Sequence, residues 1–448
     1  MTRSTIEVIG GGLAGSEAAW QLATSGVRVI LREMRPARPT AVHAGDRLAE
    51  LVCSNSLRGD SPSNAVGLLK AEMESLGSLI IGAARRSAVP AGGALAVDRD
   101  LFADAVTRAV DGHPKIEIVR EEVTSLPEGP AIIATGPLTS PALHRALDEL
   151  LDDSPLSFFD AIAPIVAADS LDLETLFRAS RYDKGGGDDY LNAALDRAAY
   201  ERFVDELLAA DTSAFRDFEQ QDIQYFDGCL PIEEMAARGR DTLRFGPMKP
   251  VGLEDPTTGR RPWAVVQLRQ DDLAADHWNM VGFQTRLTHG DQKRIFRTLP
   301  GLENARFVRL GMIHRNTFIN APAHLDGVLG LRRRPDVRLA GQITGVEGYV
   351  ESAATGLLAA RFVLAGLAGE SPQPPPPETA LGGLMRHLTD SNPRRFQPAN
   401  INWGLIAGTE ETTRIRGKRE RREAQARIAL ERLASWAETL PGPAKSSS

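Results

Sequence analysis

The sequence is poor in cysteine: Cys53 and Cys229 are the only two thiols among 448 residues. Two cysteines exclude a disulfide framework. Aromatic residues are scarce as well, at 6%. No apolar run approaches the roughly 18 residues of a membrane-spanning helix. The amino terminus passes from MTRST straight into a strand pattern, which leaves no room for a signal peptide. These absences give the expectation of a cytoplasmic protein with no membrane partner, and no metal site or protein partner is indicated.

What is present is ordinary for a soluble enzyme, with 42% hydrophobic and 25% charged residues. The length exceeds what one hydrophobic core supports, so two or three domains are expected. The net charge of −7 argues mildly against nucleic acid, but the sum hides local patches. RIRGKRERREAQAR (414–427) holds seven Arg/Lys against two Glu. Such a strip is either a solvated helix laced with i,i+4 ion pairs or a phosphate-facing surface.

Residues 5–9 read as a buried strand, 13–25 as a helix ending at Gly26, and 27–31 as a second strand. Further strands are expected at 131–136 and 337–341, each running into glycine, and in APIVA and WAVVQL. Helices are expected near 189–210, 231–238 and 412–438. SPQPPPP (371–377) is a stiff linker. The layout is an α/β protein with a discontinuous nucleotide-binding domain (1–155 and 305–370). An inserted α+β domain (156–304) and a C-terminal helical segment (378–448) with a disordered end complete it. There is no internal repeat.

Gly10-Gly11-Gly12-Leu13-Ala14-Gly15 joins the first strand to the first helix. Gly10 permits the tight turn, Gly12 lets backbone approach a pyrophosphate, and Gly15 allows close helix–strand packing. Glu33 ends the second strand, where a carboxylate accepts from ribose hydroxyls and repels a 2′-phosphate. Later, RLAGQITGVEGYVESAATGLLAA (338–360) is a strand, a Gly-punctuated turn and a helix rich in small residues. Such a helix amino terminus, carrying Gly341, Gln342 and Gly348, suits the ribityl–pyrophosphate part of a flavin. With the ATG ending at Gly136, this three-point pattern resembles the FAD-binding Rossmann fold of the glutathione-reductase class. FAD is then the bound cofactor, and any nicotinamide a transient reductant.

CSNSLRGD, FFDAIAPIV, FDGCLPIEEMAARG, DTLRFGPMKPVGL, NMVGFQT, HRNTFINAP and GQITGVEGYVESAATG follow one another in this order. Together they resemble the folate- and FAD-dependent tRNA (uracil-5-)-methyltransferases, the TrmFO family, over residues 5 to 404. One departure is YLNAAL (190–195), where the family often reads YLNCP. The resemblance implies that reduced FAD passes the methylene of 5,10-methylenetetrahydrofolate to C5 of the T-loop uridine of tRNA. NADPH or NADH restores the reduced flavin. The family's two functional cysteines match Cys53 and Cys229.

Uracil C5 becomes nucleophilic only after a thiolate adds to C6, and a free thiol with a pKa near 8.5 is mostly protonated at neutral pH. Cys229 precedes Pro231, a natural first helical residue, which puts it at the positive end of a helix, opposed in part by Glu233 and Glu234. It is the expected C6 nucleophile. Around Cys53, the donors of Ser54, Asn55 and Ser56 and the cation of Arg58 favour a thiolate. That thiolate either removes the C5 proton or guards the methylene on the flavin. Either cysteine also reads as a small structural residue. His314 is the candidate for stacking on the folate pterin, with a structural histidine as the alternative. The loops at 184–187 and 259–261, with their glycines and basic residues, are either RNA-contacting or merely exposed. A competing reading of the chain is a generic flavin oxidoreductase with a redox-active cysteine pair. A third is a flavin-stabilised RNA-binding protein without turnover.

Overall fold

The computed structural model describes residues 5–40, 42–152, 156–213 and 230–440, with the side chains of 157–159 and 314–315 outside that description. Its first sheet has six strands in the spatial order Gly330–Leu331, Arg334–Leu339, Ala131–Ile133, Thr5–Ile9, Arg28–Arg32 and Ile116–Val119. All neighbours run parallel except the edge hairpin of Gly330–Leu331 with Arg334–Leu339. Short apolar runs suit this position, because a parallel sheet is covered on both faces. Ile6, Val8, Ile132, Ile133 and Leu339 are fully buried.

The helix Leu13–Thr24 packs on this sheet and against the long helix Tyr349–Leu367. Small residues set the spacing. A Cβ on Gly15 would lie 1.8 Å from the Gly10 carbonyl oxygen, and one on Gly356 would lie 2.1 Å from that of Ala14. Tyr349–Leu367 is long and apolar enough to cross a membrane, contrary to the expectation that no segment would be. Its residues are mostly buried in the core, so its apolar character is spent on packing.

The chain leaves this unit on the strand Leu156–Ala161 and returns on Ile313–Phe318, and the two pair antiparallel. Between them lies a second six-stranded sheet, antiparallel throughout. Its order is Phe177–Arg178, Tyr190–Leu195, Ala264–Gln270, His277–Met280, Ile165–Ala167 and Phe307–Arg309. It has its own hydrophobic core, built on Tyr200, Phe203, Trp278, Phe283 and Phe296. A small third sheet joins Ser56–Gly59, Ala94–Val97 and Ala88–Val89.

Two expectations are corrected here. Residues 190–195 form a strand, and only Arg197–Leu208 is helical. Asp196 starts that helix by accepting the Ala199 amide at 2.7 Å, and the preceding alternation pairs along Ala264–Gln270. The C-terminal helix is also broken. Glu410–Thr413 opens on a Thr409 capping box and ends at Arg414, and Lys418–Glu438 starts anew after Gly417.

The C-terminal segment is moreover no appendage. Leu381, Leu384, Ile401, Ala429 and Trp436 belong to the same core as the parallel sheet. The buried carboxyl group of Glu72 caps the helix Ala380–Asp390, accepting the amides of Ala380 (2.7 Å) and Leu381 (2.8 Å). The end expected to be disordered, 441–448, lies outside the described residues. Three of the seven basic residues of the strip are paired locally, in Arg414–Glu410, Arg419–Glu423 and Arg427–Glu431, as on a solvated helix face.

Candidate active site: a cofactor cleft joined to a buried polar seam

A cleft holding about 1020 Å³ of free space, open to solvent, runs along the carboxyl ends of the parallel strands. Gly10, Gly12, Leu13, Ala14, Glu33, Gly136, Gly341 and Gln342, all singled out in the sequence, line it. Gly11, Gly15 and Gly348 do not. Gly11 instead donates its amide to Glu33 Oε2 at 2.7 Å, Gly15 packs the helix, and Gly348 caps Tyr349–Leu367.

The helix Leu13–Thr24 begins at Gly12 with no side chain capping its amides, and a Cβ on Gly12 would meet nothing within 4 Å. An uncapped helix amino terminus facing open space is a cradle for an anion. Burial alone would raise the Glu33 carboxyl. The charge of Arg35, with hydrogen bonds from Arg35 and Gly11, outweighs it and holds the group below its ordinary value. Glu33 is therefore a carboxylate lining the cleft. These residues fit the adenosine and pyrophosphate of a dinucleotide. His43, not anticipated, also lines the cleft; burial and then Arg35 push it down to about 4, so its imidazole is neutral.

Cys53 stands where this cleft meets the antiparallel sheet, between the cleft-lining Val52 and the loop Ser54–Asn55. The Tyr349 hydroxyl, at the start of the long helix, accepts the amides of Cys53 (2.7 Å) and Ser54 (3.3 Å). From the other side, Arg269 donates to Asn55 Oδ1 and Ser54 Oγ, both at 2.8 Å. Asn55, fully buried, donates to the carbonyls of Val97 (3.0 Å) and Gln270 (2.9 Å). Arg99 bonds the carbonyl of Leu51 at 2.7 Å and is itself held by Asp271. The Cys53 and Ser54 amides and the Ser54 and Asn55 side chains are thus matched across the seam, as burial requires.

The electrostatics differ from those expected. Burial pushes the Cys53 thiol up to about 12, with the negative charges of Asp160 and Glu347 adding to it and Arg309 and Arg99 opposing it. Arg58, expected to favour the thiolate, is turned away: it pairs with the buried Glu351, and its own backbone takes φ 62°. Lys70, fully buried, anchors that turn through the carbonyls of Leu57, Arg58 and Gly59. The Glu347 carboxyl is pushed well above the carboxylate range by burial and then by Asp160 and Glu351. Asp160 accepts from Asn316 Nδ2 at 2.5 Å.

Cys229 lies outside the described residues. Of His314, the backbone pairs with Asp160 in the strand register, and its side chain lies outside the description. The helix expected after Cys229 is Ile232–Ala237, with Pro231 at its cap. Glu233 points inward, accepting Thr285 Oγ1 and the Arg286 amide, each at 2.8 Å, and burial raises its carboxyl.

The sequence family described as "Glucose inhibited division protein A" matches residues 5–371. A Geobacter sulfurreducens protein called methylenetetrahydrofolate–tRNA-(uracil-5-)-methyltransferase TrmFO is 58% identical over 436 residues, 97% of this chain and 99% of its own. A Rhodospirillum rubrum protein of the same name is 58% identical, across 96% of this chain and 92% of its own. The chain belongs to the TrmFO family. The fold agrees with a solved structure of Aquifex aeolicus GidA, at a TM-score of 0.70 and 16% identity, covering 97% of this chain and 73% of that one.

In this TrmFO chain the residues that sequence reasoning missed are Tyr349, Arg99, Arg269, Asp271, Glu347 and Asp160. One signal was available. Glu347 and Tyr349 flank Gly348 in the same VEGY turn that was singled out in the sequence, and Tyr349 lines the cleft.

Proposed function

We propose that this chain is a methylenetetrahydrofolate–tRNA-(uracil-5-)-methyltransferase, dependent on FAD, that forms ribothymidine at the T-loop uridine in the cytoplasm. The observation that carries the reading is the junction itself: a thiol, Cys53, on a loop pinned by Tyr349 at the inner end of a dinucleotide cleft. When bound, FAD supplies the reducing equivalents that convert the transferred methylene into a methyl, and NADPH or NADH renews them.

The chain's own residues do the rest. Gly12 and the amides of Leu13 and Ala14 hold the pyrophosphate, and Glu33 the ribose. Cys229 adds its sulfur to uracil C6, and the electron pair moves to O4 as an enolate. C5 uses that pair for its bond to the electrophilic one-carbon unit. Loss of the C5 proton then releases the carrier nitrogen from that unit and leaves an exocyclic methylene on the uracil. Hydride addition to the methylene gives the methyl and restores the enolate, whose pair expels the Cys229 thiolate from C6. Cys53, a neutral thiol at rest, is not a ready base. The proton goes to Asp160, a buried carboxylate whose charge, after burial itself, helps hold the Glu347 carboxyl protonated. Cys53 shields the one-carbon unit on the cofactor side. His314, on the strand facing Asp160, stacks on the pterin.

The test is direct. Purified protein is incubated with undermodified tRNA, 5,10-methylenetetrahydrofolate and NADPH, and the RNA is analysed for ribothymidine. Product that depends on all three components is expected. Oxidation of NADPH with a Cys53–Cys229 disulfide and no ribothymidine would favour the flavin oxidoreductase reading instead.

A further inference from the structure

Aromatic residues make up only 6% of the chain, yet two are spent on the surface of the inserted unit. Phe245, ending the short helix Thr242–Phe245, is 82% exposed, and Tyr182 is 58% exposed. The other exposed large apolar side chains among the described residues are aliphatic.

The two aromatics share one platform. The Tyr182 ring lies over Gly252, where a Cβ would be 2.9 Å away, and the Tyr182 amide bonds the Gly252 carbonyl at 3.0 Å. Arg181 beside it bonds the carbonyl of Lys249. Lys249 in turn donates its amide to Gly246, next to Phe245. Tyr182 and Asp183 take φ of 58° and 51°, a left-handed pair that non-glycine residues adopt at a cost. The strained turn holds the tyrosine outward.

The platform is also cationic in a protein of net charge −7: Arg238–Arg261 carries six Arg/Lys against three Asp/Glu. Lys249, Arg260 and Arg261 are exposed, and no ion pair holds them among the described residues. Exposed aromatic faces among free cations are what a single-stranded or looped RNA requires, with bases stacking and phosphates neutralised. The platform hangs on the helix Ile232–Ala237, the first element after Cys229, through Thr242 and Gly239.

We propose that this face, centred on Phe245, Tyr182 and Lys249, docks the tRNA by stacking an unpaired base and gripping its backbone. The proposal rests on the reading of tRNA as substrate. Its test measures the affinity of full-length protein for an unmodified tRNA transcript across a salt series, with ribothymidine formation by wild type assayed alongside. Phe245→Ala is expected to keep the wild-type flavin spectrum and to weaken tRNA binding about ten-fold or more, the size of one lost base stack. The triple variant Lys249→Gln, Arg260→Gln, Arg261→Gln should flatten the dependence of log affinity on log salt by about two.

Unchanged affinity in Phe245→Ala, or an unchanged salt slope in the triple variant, overturns the proposal. So does a Phe245→Ala protein that binds tRNA normally but sediments as a smaller species, which would make the face a contact between two copies. Wild type that binds tRNA through this face without forming ribothymidine would sink the methyltransferase reading and leave the docking surface standing.

Discussion

The two six-stranded sheets bury themselves by opposite means. In the parallel sheet, Ala131–Ile133 is wholly apolar and Thr5–Ile9 buries Ile6, Val8 and Ile9, and the helix Leu13–Thr24 packs close on them. In the antiparallel sheet the central strand Ala264–Gln270 is also buried at all seven positions, yet it carries Gln267, Arg269 and Gln270. Those polar groups are buried because each is matched: Gln267 to Asn192, Arg269 to Asn55 and Ser54, Gln270 to the carbonyl of Asp272. The first sheet makes a cradle from backbone and empty space. The second makes a fixed polar wall, and the thiol stands where the two meet.

The largest effect should come from filling the cradle. Gly12→Leu places a side chain where nothing now lies within 4 Å. The purified variant is expected to be folded and colourless, as judged by circular dichroism and visible absorbance. A folded, fully yellow Gly12→Leu protein would break the distinction between an open cradle and a matched wall.

The wall should respond in stability rather than in cofactor content. Arg99→Met leaves the buried Asp271 without its guanidinium, which costs about 3 kcal/mol for a broken buried pair. Denaturant melts of the holoprotein should show this, and a loss under about 1 kcal/mol would mean the seam behaves as an ordinary wet surface.

Tyr349→Phe tests the junction. It leaves the amides of Cys53 and Ser54 without their acceptor, a penalty of about 1–3 kcal/mol, while the ring still packs. Ribothymidine formation should fall roughly ten-fold or more while flavin content stays near wild type. Flavin loss in parallel with activity would assign Tyr349 to the cradle instead.

These contrasts also explain what was legible. Gly10, Gly12, Gly15 and Glu33 act through one local strand–turn–helix, so their spacing alone predicts the cleft. Tyr349, Arg99 and Arg269 reach Cys53 from three distant segments, and no local pattern announces that meeting. Arg58 misled because it is near Cys53 in sequence but belongs, in space, to Glu351. The strand Tyr190–Leu195 was read as helix because its partner, Ala264–Gln270, lies far along the chain. The C-terminal segment looked detached after its prolines, yet the Ala399 carbonyl accepts the Glu347 amide at 3.0 Å and the Ile401 amide reaches Glu351 at 2.9 Å. It braces the turn carrying Glu347 and Gly348 from behind.

The smallest expected effect concerns acidity. With its thiol pushed up to about 12, Cys53 is protonated from neutral pH to well above pH 9. Its alkylation by iodoacetamide, followed by peptide mass spectrometry, should keep accelerating between pH 9 and about 12, where an ordinary thiol near 8.5 has levelled off. Glu347→Gln removes one of the charges that raise it, so the curve should shift to lower pH. A Cys53 profile that levels off by pH 9 in wild type would remove the neutral-thiol assignment.

The central claim is the division of labour between the two thiols, with Cys229 attacking the RNA and Cys53 guarding the cofactor side. A tRNA with 5-fluorouridine at the T-loop position tests it most directly, because that base cannot lose its C5 substituent as a proton and the C6 adduct persists. Wild type and Cys53→Ala should retain the capacity for a protein–RNA band that survives denaturation, whereas Cys229→Ala should give none. A band that persists in Cys229→Ala and vanishes in Cys53→Ala would reverse the assignment and contradict the account.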